Sequence, residues 1–240
     1  AASWLGGNRY ADPDTYHTQS TRIRWRHCRP ADLRHLGAAR RGAGSGIRPD
    51  QLPGACRQAS YQELAAQLDA AIADPSVAAI VLDIDSPGGE SGGVFDLADR
   101  VRVAAQIKPV WALANDMAYS AAYALGSAAS RFFVTRTGGV GSIGVIAMHA
   151  DQSVRDAKDG VRYTAVFAGA RKNDLNPHEP ISDEAHAFLK GEVDRIYSLF
   201  VDTVASHRGL TGDAVRGTEA GVFFGQDAVA AGLADSVGTF

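Results

Sequence analysis

Between Tyr61 and Phe167 short apolar runs alternate with stretches of helical periodicity, and that alternation leaves the chain few ways to fold. After the Asp74-Pro75 break, Val77–Ile84 is an apolar, β-branched run, the pattern of a parallel strand buried on both faces. Before it, Tyr61–Ala73 repeats Leu64, Leu68 and Ile72 at four-residue steps. After it, Gly93–Ala105 sets Val94, Leu97, Val101 and Ala104 on one face, so both stretches read as amphipathic helices. Val110–Ala114 predicts a second buried strand, Ser120–Ala129 a helix of small residues, Arg131–Thr135 a third strand and Ser142–Met148 a fourth. A polar helix is expected at Ser153–Lys158, a strand at Arg162–Phe167 and a long helix from Asp183 to His207. Ser182 is placed to cap that helix, with Asp183 and Glu184 at the positive end of its dipole. Strands alternating with helices specify an α/β domain on a mainly parallel sheet.

The first 58 residues differ in character from residues 59–240. Arginines recur from Arg22 to Arg57, β-branched residues are few, and neither strand alternation nor a helical stripe is sustained. Pro30, Pro49, Pro53 and the glycines from Gly42 to Gly46 break what remains. Three readings stay open for this segment: a disordered tail, a basic arm for an acidic partner, and text from a GC-rich gene read out of frame. The folded domain is expected from residue 59 onward.

Hydrophobic residues make up 45% of the chain and charged residues 21%, ordinary values for a soluble globular protein. A formal net charge of −3 gives no reason to expect nucleic acid as a partner. Cys28 and Cys56 form neither a disulfide framework nor a zinc-ligand spacing, and no metal or cofactor is called for. No stretch approaches the roughly 18 consecutive apolar residues of a membrane span. Ala1–Asn8 has no basic lead-in or long apolar core, so it does not read as a secretory signal, and an intracellular protein is expected.

Three stretches carry chemistry. Asp85-Ser86-Pro87-Gly88-Gly89 directly follows a buried strand, and its glycines free the backbone to turn and to present N–H groups to a developing oxyanion. The same residues serve equally as an ordinary strand-to-helix turn. In Asn115–Tyr123 a strand ends and Ser120 opens a helix of small residues, where a hydroxyl stands beside unsatisfied N–H groups; Ala121 N–H is available as a donor. A serine at that place is by itself an N-cap. In Phe167–Pro177, Lys172 sits in a loop of Gly, Asn and Pro. It is either a solvated charge or, if burial or a cation such as Arg171 lowers its pKa, a base.

Taken together and in order, these blocks resemble the signal peptide peptidase A family, which shares the Clp protease/crotonase fold. The match is narrower with the head maturation (capsid scaffold) proteases of lambda-like tailed bacteriophages. It is densest in Lys108–Met117, in Gly141-Ser142-Ile143-Gly144-Val145 and in the Gly169–Pro177 loop, and it continues through Thr218-Glu219-Ala220 and Gly232–Asp235. The resemblance implies a Ser–Lys serine endopeptidase, with Ser120 as nucleophile, Lys172 as general base and Ser142 holding the lysine amine. It implies an oxyanion turn at Gly88 and Gly89, Gly89 being the better donor, together with Ala121 N–H. It leaves His149, His178 and His186 without a triad role. The partners it implies are protein substrates (a capsid scaffold, a portal or the protease itself) and further copies of the chain. The place it implies is the host cytoplasm or the prohead interior. The family also has an early strand ahead of Tyr61, where this chain has its Arg-rich stretch. That departure leaves open an inactive prophage-derived relic; an acyl-CoA enzyme of the same fold leaves Ser120, Ser142 and Lys172 unexplained.

Overall fold

A computed structural model of the chain describes residues 20–26 and 60–239. In chain order its elements are β1 (Ser20–Arg26), α1 (Tyr61–Ala73), β2 (Ala79–Ser86), α2 (Val94–Ile107), β3 (Val110–Tyr119), α3 (Ala121–Ser127) and β4 (Arg131–Val134). β5 (Gly139–Gly141), α4 (Ser153–Lys158), α5 (Asp183–Arg208), α6 (Gly212–Arg216), β6 (Val222–Phe224), α7 (Gly225–Ala230) and β7 (Ser236–Val237) follow. Local chemistry starts the helices where the sequence predicts. Ser60 accepts from Glu63 N–H while the Glu63 carboxylate accepts from Ser60 N–H, a complete capping box for α1. Ser182 accepts from Ala185 N–H at the start of α5, and Gly209 closes that helix in the left-handed conformation.

The sheet runs β1-β2-β3-β4-β7, all parallel, as the α/β expectation requires. β3 is the pivot because it serves two partners on one side. Trp111–Ala114 pairs with β4, and Met117–Tyr119 pairs with β5, which in turn pairs antiparallel with β6. Between the two halves the register against β2 slips: Ile84 lies opposite Ala114, but Ser86 lies opposite Ala118. The chain therefore leaves β2 and β3 at neighbouring points, at the carboxyl ends of parallel strands, where open α/β sheets bind their ligands.

One continuous core joins the sheet to α1, α2, α3 and α5 through residues such as Leu68, Ile80, Ile84, Val101, Phe132 and Val201. Each such side chain contributes about 1.5–3 kcal/mol on burial. Among the described residues, polar groups in the core and at its rim find partners. Tyr123 is fully buried and donates to Leu233 O at 3.0 Å. Asp235 accepts from Arg208 at 2.8 Å and from Phe132 N–H at 2.6 Å, tying the end of the chain to α5 and β4. No described helix is long and apolar enough to cross a membrane.

Three sequence expectations need correction. A strand does form in the Arg-rich segment: β1 pairs with β2 in parallel, Ile23 is buried, and Arg22 lies 3.9 Å from the Asp83 carboxylate. The rest of that segment, with Cys28 and Cys56, lies outside the described residues. The strand expected at Ser142–Met148 does not form: β5 lies just before it and ends at Gly141, where Ser142 turns away with φ 53°. The strand expected at Arg162–Phe167 does not form either. Among the described residues, its β-branched and aromatic side chains have no neighbouring strand to pair with, and Val166 is 95% exposed.

Candidate active site

Ser120 is the first residue after β3 and the cap of α3, with φ 52° and ψ −124°. A non-glycine residue in that conformation costs about 1–3 kcal/mol and persists only where its surroundings hold it. Here they do. Ser120 N–H donates to Gly141 O at 2.9 Å, and Ser120 O accepts from Ala124 N–H at 3.1 Å. Ala121, Ala122 and Ala124 are small enough to bury α3 directly against the core. The Ser120 side chain makes no capping bond and lines an open cleft instead.

The turn after β2 meets Ser120 from the other side. Gly88 has φ +119°, and a Cβ built on it would lie 2.8 Å from Ser120 Cβ and 3.3 Å from Ser120 Oγ. Glycine is needed there for both reasons, the backbone angle and the close approach. Ser86, fully buried, accepts from Gly88 N–H and donates to Gly88 O, each at 3.2 Å. Gly88 N–H is thus already used. Gly89 and Ala121 N–H meet no acceptor among the described residues, and both residues line the cleft beside Ser120. Tyr61 braces this turn by donating to Glu90 O at 2.7 Å; burial, with the Glu90 charge, pushes its phenol up to about 12.

Ser142 leaves β5 as Ser120 leaves β3. Tyr119 and Gly141 are register partners, so the two serines follow at matching positions, and both have positive φ. Ser142 N–H donates to Gly221 O at 2.8 Å, which seats it on the Thr218–Gly221 turn, where Glu219 and Ala220 also have positive φ. The cleft holds about 330 Å³ and is walled by Val94, Phe95, Ile146, Ile196 and Phe200, with Glu90 as its charged member. A second depression of about 360 Å³ shares Val145 and Ile146 with it and is lined by His149, His186 and Lys190.

Lys172 is placed differently from the expectation. It is exposed, lines neither depression, and makes no contact with Ser120 or Ser142 among the described residues. Arg171, a possible aid to lowering the lysine pKa, instead pairs with Asp174 at 2.6 Å and lies 4.6 Å over the Phe188 ring. Among the described residues, no element covers this side of the chain. Ile146 (80% exposed) and Met148 (86%) stand in solvent with Val166.

Residues 102–240 match the model of peptidase family S49. The chain belongs to that family. Among its S49 relatives, the head-tail preconnector protein GP5 of Enterobacteria phage P21 is 45% identical over 177 residues, covering 74% of this chain and 35% of that protein. The capsid assembly protease C of Escherichia phage lambda is 43% identical, covering 74% of this chain and 40% of that one. A putative signal peptide peptidase SppA of Enterococcus faecium is 30% identical, covering 75% and 53%. This chain thus spans well under half the length of its two phage relatives.

Ser120 on its strained turn, Gly89 and Ala121 all line the same cleft. Ser86 was not singled out from sequence. Its signal was there, a hydroxyl between a buried strand and a Pro-Gly-Gly turn, two residues before the N–H that it accepts from.

Proposed function

We propose that the chain is a serine endopeptidase that works by a Ser–Lys dyad, with Ser120 as nucleophile and Lys172 as general base. The carrying observation is Ser120, held at positive φ against Gly88, with Gly89 and Ala121 N–H open to the same cleft. In this reading neutral Lys172 takes the Ser120 proton as Oγ attacks the peptide carbonyl. Gly89 and Ala121 N–H hold the oxyanion; the lysine then protonates the leaving amine, and water activated by the same amine frees the acyl group. Ser142 orients the lysine amine. The likeness to a phage capsid assembly protease supports capsid scaffold, portal or the chain itself as substrates, met in the host cytoplasm or inside the prohead. The exposed apolar residues around Ile146 and Val166 support self-association, which removes water from the Lys172 side and brings it to the serine.

The exposure of Lys172 also favours a second reading, a folded chain that does not cleave. Cleavage of a denatured protein by the purified chain separates the two. Ser120→Ala and Lys172→Arg are both expected to abolish it, the latter because arginine keeps its proton. Activity retained in either variant, or no turnover by the parent, refutes the dyad.

A further inference from the structure

The loop that carries Lys172 is exposed, yet its base is firmly tied. His178 Nδ1 lies 2.8 Å from the Asp156 carboxylate of α4, and both side chains are partly buried. The His178 ring stacks on Tyr163 with centroids 3.6 Å apart and planes at 21°. Two further bonds run beside this pair: His149 Nε2 lies 3.0 Å from Asn176 O, and Gln152 N–H donates to Pro177 O at 2.7 Å. Within the loop, Lys172 N–H donates to Gly169 O, Asn176 N–H to Asn173 O, and His178 N–H to Asn176 Oδ1. Ordering a loop costs about 1–2 kcal/mol per residue in backbone entropy alone. This one has no apolar core to offset that cost; its order comes from polar side chains gathered at one end, a few residues from an exposed amine.

We propose that His178, Asp156 and Tyr163 form a latch that positions Lys172, with His178 and Asp156 as positioning residues for the reaction. The proposal rests on the reading of Lys172 as the base. His178 donates Nδ1–H to Asp156 and is clamped by the Tyr163 face, so the loop meets α4 in one register. Lys172, six residues earlier along a chain of turn bonds, inherits that register. Neither His178 nor Asp156 lines the cleft, so neither touches substrate.

The test uses the full chain and a denatured protein substrate. His178→Ala and Asp156→Ala should each lower kcat about 10-fold to 100-fold with KM unchanged, the usual effect of a misplaced catalytic group. His178→Gln should recover most of the loss, because its amide can still donate to Asp156. The acid limb of the rate–pH profile should stay where it is in all of them. With Lys172→Arg inactive, parental kcat in both alanine variants overturns the latch alone, as does a raised KM at parental kcat. Equal loss of activity and thermal stability in His178→Ala and His178→Gln reduces the pair to a folding role and also overturns it. Disappearance of the acid limb in His178→Ala makes the histidine the base and removes both readings. Parental activity in Lys172→Arg, or a parent without turnover, refutes the dyad and takes the latch with it.

Discussion

Gly88→Ala is the sharpest perturbation of the site, because it adds one methyl at a point packed against Ser120, the proposed nucleophile. Two costs combine. The residue must hold φ +119°, a conformation that costs a side-chain-bearing residue about 1–3 kcal/mol. The new Cβ also stands 2.8 Å from Ser120 Cβ and 3.1 Å from Tyr119 O. Neither neighbour is the free end of a flexible chain; one is backbone and the other is fixed by it. Overpacking of that kind costs about 1–3 kcal/mol. A combined loss of about 3 kcal/mol lowers Tm by about 6–12 °C for a chain of this size. Relief comes most easily by moving Ser120, so labelling by a fluorophosphonate should slow by about 100-fold, the effect of a shift near 1 Å. Gly191→Ala in α5 is the control. Its Cβ meets nothing within 4 Å, and the helix should gain about 0.5–1 kcal/mol. Thermal unfolding and labelling rates check both variants. A Gly88→Ala chain as stable and as quickly labelled as the parent would refute the contact between the glycine turn and Ser120.

On the proposed role of Ser142 in orienting the lysine amine, Ser142→Ala costs one hydrogen bond of about 1 kcal/mol rather than a reacting atom, so kcat should fall only about 5-fold; unchanged kinetics remove Ser142 from the site. Val166→Asp, at a position 95% exposed, should leave folding intact and prevent self-association by light scattering; a parent that is already monomeric at every concentration overturns this. His207 lies 3.1 Å from Ser127 Oγ, and burial, then the Arg102 charge, push its imidazole below the usual value of 6.5. Its contribution to stability is therefore full above that value and is lost as pH falls through the folded-state pKa. Thermal stability followed between about pH 5 and 8 should decline on the acid side, and His207→Gln should flatten the decline.

Elements whose partners are near in sequence were legible. Leu64 and Leu68 mark the buried face of α1, and Val110–Ala114 marks the start of β3, because burial on a regular element imprints its period. β1 was hidden by composition. Ile23 and Trp25 do alternate with Arg22, Arg24 and Arg26, but the surrounding arginines outweigh a signal two residues strong. Arg162–Phe167 failed in the opposite way: its β-branched and aromatic residues suit a strand, but propensity does not supply a partner. At the site, a serine between strand and small-residue helix was visible, and so were the glycines. The positive φ of Ser120 was not, since Gly141 O and Gly88 impose it from outside the local sequence. The same holds for Lys172, whose surroundings depend on what covers Ile146 and Val166 rather than on the residues beside it.

The fork in β3 also sets a timetable. The turn at Ser120 is held by Gly141 O of β5, and β5 is flanked on its other side by β6 at Val222–Phe224. Chains fold broadly in the order of their synthesis, at about 5–20 residues per second. Ser120 and its glycine turn leave the ribosome first, and the strand that flanks β5 arrives about 100 residues later, at that pace some 5–20 seconds afterwards. During that interval the nascent chain already contains Ser120 and Gly141 but not β6, the outer neighbour of the strand that Gly141 ends. β5, whose Gly141 O holds the Ser120 turn, therefore gains its second neighbour only once Val222–Phe224 has emerged.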